Sequence, residues 1–290
     1  MNRRLLTNPD ALKVRIDEVL NRKWGCESLY ENSPCDRVKS SSVMLLLGPQ
    51  SCENGAAPEI CFILNKRSMS VPQGGDLCCP GGTAKRTVDP LIARLLTLPG
   101  SPLTRWKHWK RLQRCLPGEA RLVSRLLATG LRESWEEMRL NPFRVEFLGP
   151  MPSQCLLLFR RIIHPMVAWI SGQKRFTPSW EVERIVMLPV RELFRLENYA
   201  RYRLEVPPSL EWRFNGRPDD FPCFRFAHGE RLELLWGVTY RIVTLLLEMV
   251  FDFTVPQAAS LPVVTGVIDE SYVLDPNCNG GCNQGAAWGR

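Results

Sequence analysis

The chain has 290 residues, 38 Lys and Arg against 30 Asp and Glu, and a hydrophobic fraction of 44%. This composition excludes a fibrous or wholly disordered chain, and the length suits one large domain or two small ones. The best apolar run, 238–251, is broken by Arg241 and Glu248 and falls short of the ~20 residues needed to span a bilayer, so no membrane span is expected.

The net charge of +8 is concentrated. Ten cations lie within residues 83–128 (Lys85, Arg86, Arg94, Arg105, Lys107, Lys110, Arg111, Arg114, Arg121 and Arg125), opposed only by Asp89 and Glu119. That segment carries the whole excess and is a feature to explain. Eleven scattered cysteines do not describe a disulfide scaffold, and no apolar leader follows Met1-Asn2-Arg3-Arg4. A reduced intracellular compartment is expected; the basic start leaves cytoplasm and mitochondrion both open. Cys278 and Cys282, spaced C-x3-C, lack a second ligand pair for a metal.

In chain order, 12–20 reads as a helix and 21–42 as polar and turn-rich, so residues 1–40 form a helix and linker ahead of the main domain. Buried strands are expected at 43–47 and 59–65, across a loop at 50–58. Gly74-Gly75 and Pro80-Gly81-Gly82 mark a glycine-rich stretch. Pro90, Pro99, Pro102 and Pro117 cut the basic segment into short pieces, and a helix follows over 122–140, weakened by Gly130. Further strands are predicted at 144–148, 156–163 and 165–170, a short helix at 191–196, a longer one at 234–251, and a poorly ordered tail over 256–290. Strands and helices interleave without repeats, which predicts an α/β (α+β) sandwich with a mixed sheet over 41–255.

The informative stretch is Arg132-Glu133-Ser134-Trp135-Glu136-Glu137. On a helix, positions 133, 136 and 137 share one face, and their mutual repulsion is relieved by a hard divalent cation such as Mg²⁺. Arg132 is able to hold one of these carboxylates in a bidentate pair. A solvated acidic turn is the plainer reading of the same spacing. The upstream Pro80-Gly81-Gly82 loop favours the metal, because glycines let backbone groups approach a metal or phosphate closely.

Arg-Glu-x-x-Glu-Glu behind a Pro-Gly-Gly loop resembles the Nudix box of pyrophosphohydrolases. Phe62-Ile63-Leu64-Asn65-Lys66-Arg67-Ser68, followed by Gly75-Asp76-Leu77-Cys78-Cys79-Pro80-Gly81-Gly82, is similar to the signature of the coenzyme A pyrophosphatase branch. His164-Pro165-Met166-Val167, Glu181-Val182-Glu183-Arg184-Ile185 and Leu235-Trp236-Gly237-Val238-Thr239 resemble further stretches of that branch, in its order, over roughly residues 40–250. There are departures. The acid that the box places eight residues before its arginine is Ser124 here, its closing glycine is Arg139, and the branch's loop arginine is Val71 or Pro72. The basic segment, 83–124, stands as an insertion between loop and helix.

The resemblance implies metal-dependent hydrolysis of a pyrophosphate bond in coenzyme A or acyl-CoA, giving 3′,5′-ADP and (acyl-)4′-phosphopantetheine. It implies Glu133, Glu136, Glu137 and Arg132 as catalytic residues. The three glutamates, with the Gly81 carbonyl, would hold Mg²⁺ or Mn²⁺; Arg67, Gly82 and Glu183 would lie on the substrate side. Other Nudix substrates (capped RNA, ADP-ribose, a dinucleotide) and a catalytically weak Nudix-fold binding module are the alternatives. For the insertion, three readings stand: an irregular solvated excursion, a lid meeting the 3′-phosphate of coenzyme A, or an RNA contact through 105–111, where Trp106 and Trp109 interleave with cations. The replacement of glycine by Arg139 is expected to reshape the turn that ends the helix.

Overall fold

A computed structural model describes residues 3–22, 39–50, 58–156, 161–205, 207–208, 220–257, 260–267 and 272. Most of the expected linker at 21–42, the loop at 51–57 and the Cys278/Cys282 pair lie outside these residues.

The centre is a pair of parallel strands, β1 (Lys39–Gln50) and β7 (Arg161–Ile170). β2 (Glu59–Arg67) runs antiparallel to β1, and β8 (Val182–Pro189) runs antiparallel to β2. Short β3 (Leu77–Cys78) pairs with the end of β2, and β4 (Gly81–Thr83) with the start of β1. β5 (Val145–Pro150) and β6 (Gln154–Leu156) pair antiparallel with successive parts of β7. The result is a mixed eight-stranded sheet. Its inner strands are apolar on both faces, as expected when both faces are covered.

Alternation along β1 divides the core. Leu45 and Leu47 join one apolar cluster with Leu12, Ile16 and Leu20 of α1 (Pro9–Asn21) and with Ile242, Leu246 and Val250 of α6 (Gly237–Phe251). Met44 and Leu46 join the other, with Val123, Leu127 and Leu131 of α5 (Pro117–Met138). The fold is therefore the expected α/β sandwich. A second sheet, in the order β11 (Arg231–Trp236), β10 (Phe221–His228), β9 (Tyr199–Glu205), β12 (Val263–Val267), leads into α6.

Several elements differ from the sequence expectation. Residues 234–236, expected as the start of the long helix, belong instead to strand β11, and α6 begins at Gly237. Of the strand expected at 156–163, residues 157–160 lie outside the described residues and 156 ends β6. Residues 161–163 and the strand expected at 165–170 are one strand, β7; Pro165 sits where β5 gives way to β6 and no ladder donor is required of it. Within the expected tail, β12 pairs parallel with β9. α1 is a layer of the sandwich rather than an appendage, with Asn21 Nδ2 donating to Leu148 O at 2.9 Å.

The basic insertion is not irregular. It forms α2 (Asp89–Leu95), α3 (Pro102–Arg105) and α4 (Trp109–Cys115), and it runs into the first turns of α5. Ala93, Leu96, Leu103, Trp106, Trp109 and Leu112 are buried in the α5-side cluster. Trp106 and Trp109 are 3% and 5% exposed, so neither offers a face on which a base stacks.

Candidate active site

The site is assembled between α5 and the glycine loop. α5 starts on Pro117 in its first turn, where proline costs no hydrogen bond, and buries a stripe of Ala120, Val123, Leu127 and Leu131. Gly130 has a packing role: a Cβ there would stand 2.7 Å from Met44 Sδ, so its absence lets the helix settle onto β1. The helix ends on Arg139, which adopts the left-handed conformation (φ 55, ψ 40) that a glycine would normally take. The expected reshaping of this turn does not occur. The Arg139 guanidinium instead lies over the Trp135 ring, 4.3 Å from its centroid.

The loop is held to β1. Met44 N donates to Pro80 O at 2.8 Å, and Gly81 and Gly82 pair with Val43 and Ser42. A Cβ on Gly81 would lie 2.3 Å from Ser42 O, and one on Gly82 would lie 2.6 Å from Glu133 Cδ. Both glycines are thus required by close approach, the first of strand to loop, the second of loop to carboxylate.

Arg132 is the hub. Its Nη1 donates to Glu133 Oε1 at 2.8 Å and to Glu136 Oε2 at 3.0 Å, while Nη2 donates to Thr83 O at 3.2 Å. Its Nε donates to Asp89 Oδ1 at 2.7 Å. Asp89, 2% exposed, also accepts from Lys85 N and from Thr129 Oγ1, each at 2.7 Å. Burial raises the Asp89 carboxyl, but Arg132, Thr129 and Lys85 N outweigh it and leave the pKa below its ordinary value. Asp89 is therefore the buried carboxylate partner of Arg132. Ser124 itself only donates to Arg121 O, 2.9 Å away.

Glu137 is set differently from its neighbours. Its Oε2 accepts from Asn65 Nδ2 at 2.8 Å and from Gly81 N at 3.1 Å, so Gly81 faces this carboxylate through its amide. Burial, with Glu133 adding repulsion, pushes the Glu137 carboxyl up to about 8 despite the Gly81 N–H. Burial also raises Glu133, against the pull of Arg132. Among the described residues, no three His, Cys, Asp or Glu side chains already stand in ligating geometry. The donor chemistry nonetheless fits a hard divalent cation. It offers three carboxylates on one face, one of them buried and in no ion pair among the described residues, and the buried Asn65 Oδ1, which has no hydrogen-bond partner among the described residues.

No known family's sequence profile matches the chain, and no curated protein does. Among solved structures it is similar to a MutT/nudix family protein from Enterococcus faecalis, at 13% identity over 81% of this chain and 74% of that one, with a TM-score of 0.40. It is also similar to RenU, a Nudix hydrolase from M. smegmatis, at 12% identity over 53% and 73% with a TM-score of 0.33. A third likeness is to the NUDIX domain of Shewanella oneidensis NrtR complexed with ADP ribose, at 14% identity over 56% and 80% with a TM-score of 0.32. At such values these likenesses identify neither activity nor substrate.

The remaining expected residues divide. Arg67 stays close: its Nε donates to Pro72 O at 2.8 Å, and its charge lowers the pKa of both Glu137 and Cys78. Burial dominates at Cys78 and pushes its thiol up to about 12, which makes it a packing group. Glu183 is committed elsewhere, paired with Arg184 and with Arg231 Nη1 at 3.0 Å. Glu181, two residues earlier, adds its charge to that of Glu133 in raising Glu137. Asp89, Asn65 and Lys85, whose Nζ lies 3.2 Å from Glu136 Oε2, were not foreseen. Asn65 had only a weak signal in the sequence, as the first polar residue after the apolar run 60–64 and ahead of Lys66 and Arg67. A further group adjoins Arg67. Asp76 accepts from Trp236 Nε1 at 2.9 Å and from Tyr272 Oη at 2.6 Å, and burial raises its carboxyl despite both donors.

Proposed function

We propose that the chain hydrolyses a pyrophosphate bond in a nucleoside diphosphate derivative, with coenzyme A or an acyl-CoA as substrate. The observation that carries the reading is the placement of Glu133, Glu136 and Glu137 on one face of α5 against the Gly81-Gly82 loop, with Arg132 fixed behind them by Asp89. Glu133, Glu136 and Glu137 would hold Mg²⁺ or Mn²⁺. A bound divalent cation supplies charge neutralisation on the diphosphate and a lower pKa for the attacking water. Arg132 keeps two of the carboxylates oriented, Asn65 orients the third, and the bare Cα of Gly82 leaves room for Glu133. Arg67 is the cation beside Glu137 suited to a substrate phosphate. The coenzyme A assignment rests on the signature over residues 62–82 and on the cations of the insertion, which offer partners to a 3′-phosphate.

One observation favours a binding module instead: Arg132 and Lys85 already neutralise Glu136. Product analysis decides between them. The chain is incubated with coenzyme A, ADP-ribose, NADH, a diadenosine polyphosphate and capped RNA, with Mg²⁺ and with Mn²⁺. Metal-dependent release of 3′,5′-ADP from coenzyme A, lost in Glu136→Gln/Glu137→Gln, is expected. Turnover of another diphosphate removes the substrate assignment but keeps the chemistry. A folded, metal-binding chain that is silent on the whole panel leaves the binding module.

A further inference from the structure

The inserted helices carry an exposed apolar ridge that the proposed chemistry does not use. Val88, Leu91, Leu95 and Leu98 are 40%, 57%, 61% and 54% exposed. Their spacing of three, four and three residues places them on one helical face. Backbone bonds Thr97 N to Arg94 O (3.1 Å) and Leu98 N to Leu95 O (3.0 Å) carry the helical path through Leu98. The opposite face is the packed one, with Asp89, Ala93 and Leu96 turned inward. The leucine ridge is thus displayed rather than buried.

The segment that carries it is basic, with Arg86 just ahead of α2 and Arg94 on it. Arg86, Arg94, Lys110, Arg111, Arg114, Arg121 and Arg125 are all exposed, and none forms an ion pair with an acid among the described residues. The two acids of the segment do not offset them at the surface. Asp89 is buried against Arg132, and both carboxylate oxygens of Glu119 are shielded from solvent. Exposed leucines on a helix that carries exposed, unpaired Arg94 and follows Arg86, within a segment of unneutralised cations, are the two ingredients of interfacial binding: apolar side chains for the acyl boundary and cations for anionic headgroups. RNA would use the cations but gains nothing from the leucines, and both tryptophans of 105–111 are buried. A second copy of the chain would set like-charged surfaces against each other.

We infer that the outer face of α2 and the turn after it docks on an anionic lipid bilayer, the leucines entering the interface and the cations of the segment binding headgroup phosphates. Asp89, the first residue of α2, holds Arg132 from the inward side of the same helix, so the docking face and the candidate site share α2. The inference does not depend on the proposed activity.

The test is flotation of the full chain with phosphatidylcholine vesicles with and without phosphatidylserine, beside the Leu91→Ser/Leu95→Ser/Leu98→Ser variant. Wild type is expected to float with the phosphatidylserine vesicles and to release as salt rises. The variant, with an unchanged melting temperature, is expected to lose about tenfold or more of that partitioning. No flotation with phosphatidylserine vesicles overturns the proposal, as does equal flotation of the triple variant. Single-stranded RNA bound in preference to vesicles and indifferent to the leucine changes also overturns it. So does a wild-type dimer that the variant breaks without either protein binding lipid.

Discussion

Asp89 Oδ1 lies 2.7 Å from Arg132 Nε although 43 positions separate the two residues. The insertion therefore does not interrupt the site. It leaves the glycine loop, delivers Asp89 to Arg132 at its first helical residue, and returns through α5 with the carboxylates in place. Arg132 at 8% exposure and Asp89 at 2% form a buried pair, so each is costly without the other.

Asp89→Asn is expected to lower stability by about 3 kcal/mol and to depress metal-dependent turnover, because Arg132 then orients Glu133 and Glu136 less well. Denaturant unfolding and turnover read the two effects. Ser124→Glu in the same background is expected to restore neither, since Ser124 bonds only within its own helix. Rescue by that change would show that position 124 reaches Arg132.

Gly82→Ala separates site from scaffold. The added methyl meets the flexible end of Glu133, so the fold adjusts at little cost while the carboxylate is displaced. We expect a melting temperature close to wild type with Mn²⁺ affinity reduced about tenfold, measured by isothermal titration.

At the end of α5 the strain is in the backbone. Arg139→Gly and Arg139→Ala both lose the stacking on Trp135, but only glycine accepts the left-handed conformation freely. The glycine variant is expected to be the more stable of the two by about 1 kcal/mol in chemical denaturation.

His164 sets a pH dependence of stability. Burial pushes its pKa down to about 4 from the ordinary 6.5, with Ser153 Oγ 2.8 Å from Nδ1. The unfolded chain then binds the proton more readily than the folded one. Stability is fully present above about pH 6.5 and declines as pH falls towards 4, by about 3 kcal/mol across the window. Unfolding free energies measured across this range should show that slope, and His164→Gln should flatten it.

The sandwich and the carboxylate face were legible because each has a local cause. Apolar runs gave β1 and β2, and the spacing of 133, 136 and 137 held on α5. The second sheet was not legible. β9 is mixed in polarity, and the apolar run into α6 conceals the boundary at Trp236, where the chain leaves a strand. Nor was the partner of Arg132, because pairing across an ordered insertion leaves no trace in spacing. The tryptophans of 105–111 misled for a related reason: alternation with cations does not distinguish an aromatic that faces solvent from one that anchors a helix.

Tyr272 donates to Asp76 across 196 positions of sequence, and Gln73 N donates to Tyr272 O at 3.2 Å. The glycine-rich loop is therefore secured by residues translated long after it. During synthesis the main sheet has all its strands once β8 has emerged, whereas the loop beside the carboxylates gains the Tyr272 restraint only when residue 272 leaves the ribosome. Nascent chains halted between those points would hold a formed sheet and an unfastened loop, so translation order alone delays completion of the site until most of the scaffold already exists.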